Sequence, residues 1–440
     1  MLKLYCILAA ILLIRVPGRT QDQARNQNKD QPLLVLKGVV VDDSTGEGLS
    51  FATISYHRNG VNTMSNGDGG FIFKIRQGAA GDSIHISHVG YKAVTLPIRR
   101  KNSDNLVIRL PRKPVQLSDV VVNPIDPLDI IRKAIARIPD NYPTSPYILD
   151  GFYRLTTRYD NRIIELSEAV FKIFGRDYST QSQQFKLVKS RIDKDWNAFG
   201  WSGITKIRRP EGIIAVDLVG RIHAAPVLGD TEMPAHEFSY LGIIDYEGRE
   251  AYEIGFDQRS DVQKAYHRGA IIIDKETLAF LSITRTLSPR GIQYWKLKSK
   301  ADRAALKSAQ MTDTKYSDSV VVTYRSYGGK YYLRHYYRYA GGRLSGGRDS
   351  SQIDLNPYFT ETNYLVTRID TDGVQPFPDS TLINQRTPIE RQAYHPQPSD
   401  KFWENYNLIE ASFNVDSVAN DLRRRNKTRP YHRPTSPIDK

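Results

Sequence analysis

Residues 34–41, LVLKGVVV, run straight into Asp42-Asp43-Ser44-Thr45-Gly46, and this short apolar run cut by turn residues sets the reading of the chain. Phe51 to His57 continues with period-two alternation: Phe51, Thr53 and Ser55 oppose Ala52, Ile54 and Tyr56. Asn66-Gly67-Asp68-Gly69-Gly70 reads as a tight turn, because glycine reaches positive φ angles that a Cβ resists. Phe71–Ile75, Ser83–Val89, Tyr91–Ile98 and Leu106–Leu110 complete a set of evenly spaced strands without a helix among them. Residues 33–122 therefore describe a β-sandwich.

Upstream, Met1-Leu2-Lys3 is a short basic start, and Leu4 to Ile14 is an unbroken apolar run stopped by Arg15 and Pro17. A bilayer-crossing helix takes about 20 apolar residues, whereas a secretory core needs about 7–15. Residues 1–20 are thus expected to be a signal peptide cleaved near Thr20-Gln21, with a start-anchored chain as the alternative. Residues 21–32 are a polar linker. The only cysteine, Cys6, falls inside the apolar run, too early to be a lipid-modified first residue. An exported, cleaved chain would hold no disulfide, thiolate metal site or thiol nucleophile.

Downstream, Asp126 can cap a helix, Pro127 suits its first turn, and Ile131, Ala134, Ile135 and Ile138 recur at helical spacing. Pro139, Pro143 and Pro146 end it, giving a helical linker over 123–146. A larger antiparallel β domain is expected over 147–412. Tyr147–Tyr159 and Arg162–Gly175 join at Asp160-Asn161, and Phe185–Ile192 follows. Further hairpins pair Phe238–Tyr246 with Glu250–Phe256, Tyr266–Ile273 with Leu278–Thr284, and Val320–Tyr327 with Lys330–Tyr339. In the last strand, alternation places Tyr332, Arg334, Tyr336 and Arg338 on one face and Tyr331, Leu333, His335, Tyr337 and Tyr339 on the other. Trp196–Pro234 is less regular and suits a helix or a lid-like loop. Residues 413–440 form a basic, Pro-rich tail in which Arg423 to Arg429 reads as a solvated run. The abundance of tyrosine, 26 against 15 Phe and 4 Trp, fits half-wet pleated surfaces and a mainly β fold.

At this point a pattern becomes specific. Gly38 to Asp42, Gly46, Leu49, Phe51-Ala52-Thr53, Ser65-Asn66, Asp68-Gly69, Phe71 and Ser87-His88-Val89-Gly90-Tyr91 together resemble the carboxypeptidase-regulatory-like domain of Gram-negative envelope proteins. The same module precedes the plug of many TonB-dependent receptors, and Leu117 to Val122 resembles the strand that often follows it. The resemblance implies a seven-stranded transthyretin-like or Ig-like sandwich, with the glycines in turns, Phe71 and Tyr91 in the core, and no peptidase activity. Tyr252 to Phe256, then Tyr266 to Asp274 and Thr277, are similar to strands of LolA-type lipoprotein-sorting carriers. That likeness implies a half-barrel-like open sheet able to hold acyl chains. The layout, ending near Phe402 to Asn407, resembles a family of envelope proteins known chiefly by its regulatory-like domain.

Residues that could carry chemistry do not assemble into a motif. There is no HExxH, and His85 and His88, three apart on a strand, point to opposite faces. His335 lies among tyrosines as a packed sheet residue. Gly200-Trp201-Ser202-Gly203 lacks the spacing of a nucleophile elbow. Gly67-Asp68-Gly69-Gly70 lacks both the Lys-Ser/Thr of a P-loop and the acidic spacing of an EF-hand. The carboxylate pairs Glu165/Glu168 and Glu247/Glu250 have no separation readable from sequence. No catalytic, cofactor-binding or metal-ligating residue is expected.

A net charge of +14 would suggest nucleic acid in a nuclear protein, but an exported one meets phospholipid head groups, lipopolysaccharide and acidic glycans. The reading is a non-catalytic cell-envelope binding or structural protein in the periplasm or on the periplasmic face of the outer membrane. It would be peripheral to the membrane and hold a lipid or polypeptide in an open sheet groove. Its expected partners are a lipid, a lipoprotein or an outer-membrane protein, and not nucleic acid. Two alternatives stay open: an outer-membrane β-barrel behind a periplasmic sandwich, and a hydrolase with its site in Trp196–Pro234. Barrel strands of about ten residues need one apolar face, and charges interrupt such a band here.

Overall fold

The computed structural model describes residues 33–56, 61–76, 82–98, 102–113, 125–179, 183–195, 217–296, 300–308, 310–346, 357–383 and 401–428. The signal peptide, the linker, Leu117–Val122, Gly200–Gly203 and most of Trp196–Pro234 lie outside them.

The first unit holds β1 (Leu33–Asp42), β2 (Thr53–Tyr56), β3 (Asn62–Met64), β4 (Gly70–Arg76), β5 (Ser83–Ser87), β6 (Val94–Pro97) and β7 (Ser103–Leu110). They form two sheets, ordered β4-β1-β7 and β3-β2-β5-β6. Alternation places Leu34, Leu36, Val40, Ile54, Phe71, Phe73, Ile84, Ile86 and Ile108 in one core between them. The Asp42 turn is held by its own carboxylate, which accepts from the Ser44 hydroxyl, the Ser44 and Thr45 amides, Arg112 and the Tyr91 hydroxyl. The Ser44 hydrogen bond, and then Arg112, hold that carboxyl well below the usual carboxylate range. Tyr91 thus packs beside the core and ties it to this turn. In the second turn Gly69 has φ +83°, and a Cβ there would strike the Val40 carbonyl.

A helix, α1 (Pro127–Ala136), follows, its N-terminus capped where Asp126 accepts from the Leu128 amide at 2.9 Å. Its buried face carries Ile130, Ile131 and Ala134. The remaining strands are β8 (Tyr147–Tyr159), β9 (Arg162–Gly175), β10 (Gln184–Lys194), β11 (His236–Tyr246), β12 (Arg249–Gln258), β13 (His267–Asp274), β14 (Phe280–Leu287), β15 (Met311–Tyr327), β16 (Lys330–Gly346) and β17 (Tyr358–Asp370). They form one ten-stranded sheet ordered β10-β9-β8-β17-β16-β15-β14-β13-β12-β11. Every pairing is antiparallel. The end strands β10 and β11 do not pair, so this sheet is open, and the β-barrel alternative is set aside for it. Its tightest hairpins turn on positive φ: Asp160 and Asn161, Glu247 and Gly248, Gly328 and Gly329.

Besides the single helical turn Ile138–Asn141, the described residues hold three further helices, α2 (Lys300–Ser308), α3 (Lys401–Asn405) and α4 (Val415–Thr428). The last corrects the solvated reading for Arg423 and Arg425, whereas Arg424 is exposed and 429–440 lie outside the described residues. Arg423 makes a two-bonded pair with Asp193 at 2.7 and 2.8 Å, and Arg425 reaches Asp195 at 3.0 Å. The acidic residues that neutralise this basic run sit on and just after β10, far away in sequence.

The alternation expected in β16 also needs correction. Thr323 faces His335 and Tyr324 faces Leu333, so Arg334 is an extra residue in a β-bulge. Arg334 pairs with Glu247, and its neighbour His335 lies 5.2 Å from the Phe51 ring. Both turn toward the sandwich, while Tyr336 joins the core on the opposite face.

The sandwich sits on the outer face of the large sheet. Met64, Phe152, Val170, Leu365, Trp403 and Ile409 form the shared core there. Asn62 donates to the carbonyls of Val366 and Thr367, and Thr63 to that of Leu408. Lys74 and Asn407 exchange backbone–side-chain bonds, and Lys74 Nζ donates to the carbonyls of Trp403 and Tyr406. Residues 401–413 therefore wedge between the two units.

Candidate functional site

The other, inner face of the large sheet carries its most continuous apolar surface. Read across the strands by register, Ile254, Ile271, Ile283, Val322, Tyr336, Tyr364 and Tyr153 stand directly opposite one another. All belong to or pack on one core. One row further on, register aligns Phe256, Gly269, Arg285, Val320, Arg338, Thr362 and Leu155. Two arginines, Arg285 and Arg338, thus enter the face one step along the pleat, among the core residues Phe256, Val320 and Leu155.

The apolar part is covered by α1 and by residues 217–235. Ile130, Ile131 and Ala134 of the helix, with Leu218, Val219, Ile222, Ala225, Val227 and Leu228 of the second segment, complete the core. Each Val, Leu or Ile so buried contributes about 1.5–3 kcal/mol. This segment is not a regular layer: its secondary structure is the 3₁₀ turns Val219–Ala224 and Met233–Ala235, the first kinked at Arg221. Val227 is fully buried at φ +76°. A β-branched residue in that region costs on the order of 1–3 kcal/mol.

One hydroxyl fastens the start of the segment. Tyr324 Oη accepts from the amides of Leu218 and Val219 at 3.1 and 3.2 Å and donates to Asp217 at 3.1 Å. A hydroxyl offers one donor and two lone pairs, so its capacity is used in full. Burial pushes the Asp217 carboxyl up, against the hydrogen bonds it accepts. Tyr142, Tyr147, Tyr178, Tyr331 and Tyr332 complete the wall around it and leave a cavity of about 20 Å³. That is room for about one water.

Candidate residues from the sequence lie elsewhere. His85 contacts Thr95 and His88 the carbonyls of Val89 and Ser50, both in the sandwich. Glu165 accepts from Thr157, whereas Glu168 is buried between Arg154 and Arg191, so the two do not form a carboxylate pair. Glu247 binds Arg334, and Glu250 binds Lys275. Among the described residues no three His, Cys, Asp or Glu are grouped as metal ligands, and no helix is long and apolar enough to cross a membrane. Sequence reasoning missed Asp217, Tyr324 and Arg285. The first two are joined by tertiary contacts across 107 residues, and nothing near Arg285 in the chain marks it.

Fold and site together define a class: a small β-sandwich mounted on the outer face of an open antiparallel sheet whose inner face is self-covered. Residues 36–122 match the family model described as CarboxypepD_reg-like domain, so the sandwich is a carboxypeptidase-regulatory-like domain. No curated protein matches the chain in sequence. Similar solved structures include a LolA-superfamily protein from Nitrosomonas europaea, at 8% identity and TM-score 0.21 over 60% of this chain and 100% of that one. A DUF1329-family protein from Desulfovibrio piger gives 8% and 0.26 over 59% and 100%. A Vibrio parahaemolyticus domain, provisionally described as an outer-membrane lipoprotein-sorting protein, gives 9% and 0.23 over 56% and 93%. At these identities and scores none of the likenesses bears on ligand or activity.

Proposed function

We propose that the chain is an exported, non-catalytic binding protein of the cell envelope. Its inner sheet face takes the apolar part of an amphiphile when residues 217–235 move aside. The observation that carries this reading is the unbroken apolar row across an open sheet, covered by an irregular, strained segment instead of a second sheet. Such a cover stands where an acyl chain would lie, and a ligand that buries the same surface replaces its contacts. Export by residues 1–20, and a place in the periplasm or on the periplasmic face of the outer membrane, complete the proposal. The sandwich would serve as the docking unit for a lipoprotein or outer-membrane partner.

Two measurements test it. Native mass spectrometry of the purified protein should show co-purifying amphiphile, and the neutral dye N-phenyl-1-naphthylamine should bind saturably with enhanced fluorescence. Clean spectra together with no dye binding refute it. The small residual cavity favours a second reading, a sealed scaffold without ligand, which predicts that negative pair of results.

A further inference from the structure

The row beside the apolar one holds a guanidinium that no carboxylate binds directly among the described residues. Arg285 lies on β14 and Arg338 on β16, with Val320 between them, so their backbones are separated by two strand spacings of about 4.8 Å. Asp318 is bound by Arg338 in a fork, Nε at 2.7 Å and Nη2 at 2.6 Å. Arg285 makes no ion pair among the described residues, although Asp318 and Glu232 lie near enough to act on its charge. Its Nη1 donates to His267 Nε2 at 2.7 Å, which requires that nitrogen to be the unprotonated one. The other edge of the guanidinium is different: Nε is out of contact with solvent and has no hydrogen-bond partner, and Nη2 makes no hydrogen bond among the described residues. Nε and Nη2 form the fork that matches two oxygens of a phosphate or carboxylate. A buried guanidinium donor left without an acceptor is costly, and natural structures keep few of them.

The end of the covering segment meets this place. Glu232, which accepts from the Val227 amide, lies close enough to both His236 and Arg285 to act on their charge. His236 is buried beside it, with Nδ1 against the Glu232 carbonyl at 2.8 Å. The movement that bares the apolar row would therefore also alter the surroundings of Arg285.

We infer that the ligand of the inner face is an amphiphile with an anionic, phosphate-type head, and that the fork of Arg285, reached when the cover moves aside, is the contact for that head. This rests on the carriage reading above and specifies its ligand. The apolar row takes the chain, and the row of Arg285 one step along the pleat takes the head.

The test uses the full chain and displacement of N-phenyl-1-naphthylamine by dodecyl phosphate, dodecyl maltoside and inorganic phosphate, the two detergents below their micelle concentrations. Dodecyl phosphate should displace the dye at about tenfold lower concentration than dodecyl maltoside, and 0.5 M NaCl should narrow that gap. Arg285→Gln should abolish the preference, so that dodecyl phosphate and dodecyl maltoside displace the dye at similar concentrations. Arg285→Lys, which keeps the charge but not the fork, should retain only part of it. Inorganic phosphate should not displace. Equal displacement by the two detergents in the unaltered protein, or a preference that survives Arg285→Gln, overturns the head-group assignment with carriage intact. Inorganic phosphate matching dodecyl phosphate overturns the amphiphile in favour of a free anion. Absence of any dye binding refutes carriage itself. If Arg285→Gln does not fold, the lysine variant and the salt dependence still decide.

Discussion

Replacing Tyr324 by phenylalanine removes one oxygen atom and three hydrogen bonds, all at the start of the covering segment. The ring, buried at 2% exposure, should keep its packing. The Leu218 and Val219 amides lose their acceptor, and each buried amide left bare costs about 1–3 kcal/mol. Asp217, already disfavoured as a buried anion, loses its hydroxyl donor. Allowing some local relaxation, the attachment should weaken by roughly 3 kcal/mol, or about a hundredfold in the open fraction at about 1.4 kcal/mol per tenfold. Amide hydrogen exchange read by peptide mass spectrometry should show residues 217–235 exchanging on the order of a hundredfold faster. Strands β12 and β13, held by their own ladders, should change little. N-phenyl-1-naphthylamine should bind more tightly, because less work is needed to bare the apolar row. If exchange over 217–235 and dye affinity both stay as before, Tyr324 does not fasten the cover.

Asp217→Asn should raise the melting temperature at neutral pH. The carboxyl of Asp217 is raised in the folded protein, so its ionisation lowers stability as pH climbs from about 3.8 through the folded value, and the variant's advantage should shrink on acidification. His335 behaves oppositely: burial, and then the Arg334 charge, push it down to about 4 from 6.5. Stability should fall as pH drops from 6.5 toward 4, by roughly 3 kcal/mol, and denaturant titrations of His335→Gln at pH 7 and pH 4 should show the unaltered protein losing more over that range. Glu168→Leu strands Arg154 and Arg191 and should cost about 3–5 kcal/mol, whereas adding Arg154→Met should recover only part of it, because Arg191 still lacks Glu168; urea midpoints separate the two. Asn62→Ala should destabilise the sandwich–sheet junction by about 1–3 kcal/mol, read as a lower melting temperature.

The hairpins were legible because their turns are chemical. Asp160-Asn161 and Gly328-Gly329 supply residues that tolerate positive φ, and β8 and β9 begin and end where the alternation does. The placement of β17 was not legible. Tyr358–Asp370 is rich in β-formers between Asn356-Pro357 and Asp372-Gly373, but its place between β16 and β8, strands far apart in sequence, has no local signal. The bulge at Arg334 is likewise invisible, since it depends on what lies opposite. Pairing of Arg423 and Arg425 with Asp193 and Asp195 links residues 230 positions apart, which charge patterning within a window cannot find. Trp196–Pro234 was read as irregular, and its described part is so. That it covers the sheet follows only from Leu218, Val219 and Val227 meeting side chains of β8 to β17.

Both fastenings of this architecture lie in the last quarter of the chain. Two separate meanders, β8 to β10 and β11 to β16, become one sheet only when β17 is laid between β8 and β16. The sandwich gains its full seat only when Trp403, Tyr406, Asn407 and Leu408 arrive. A polypeptide emerging N-terminus first, from a ribosome or a membrane pore, must therefore wait with two exposed sheet edges until its end appears. Early release or a premature stop would leave β8 and β16 as free templates for a neighbouring chain.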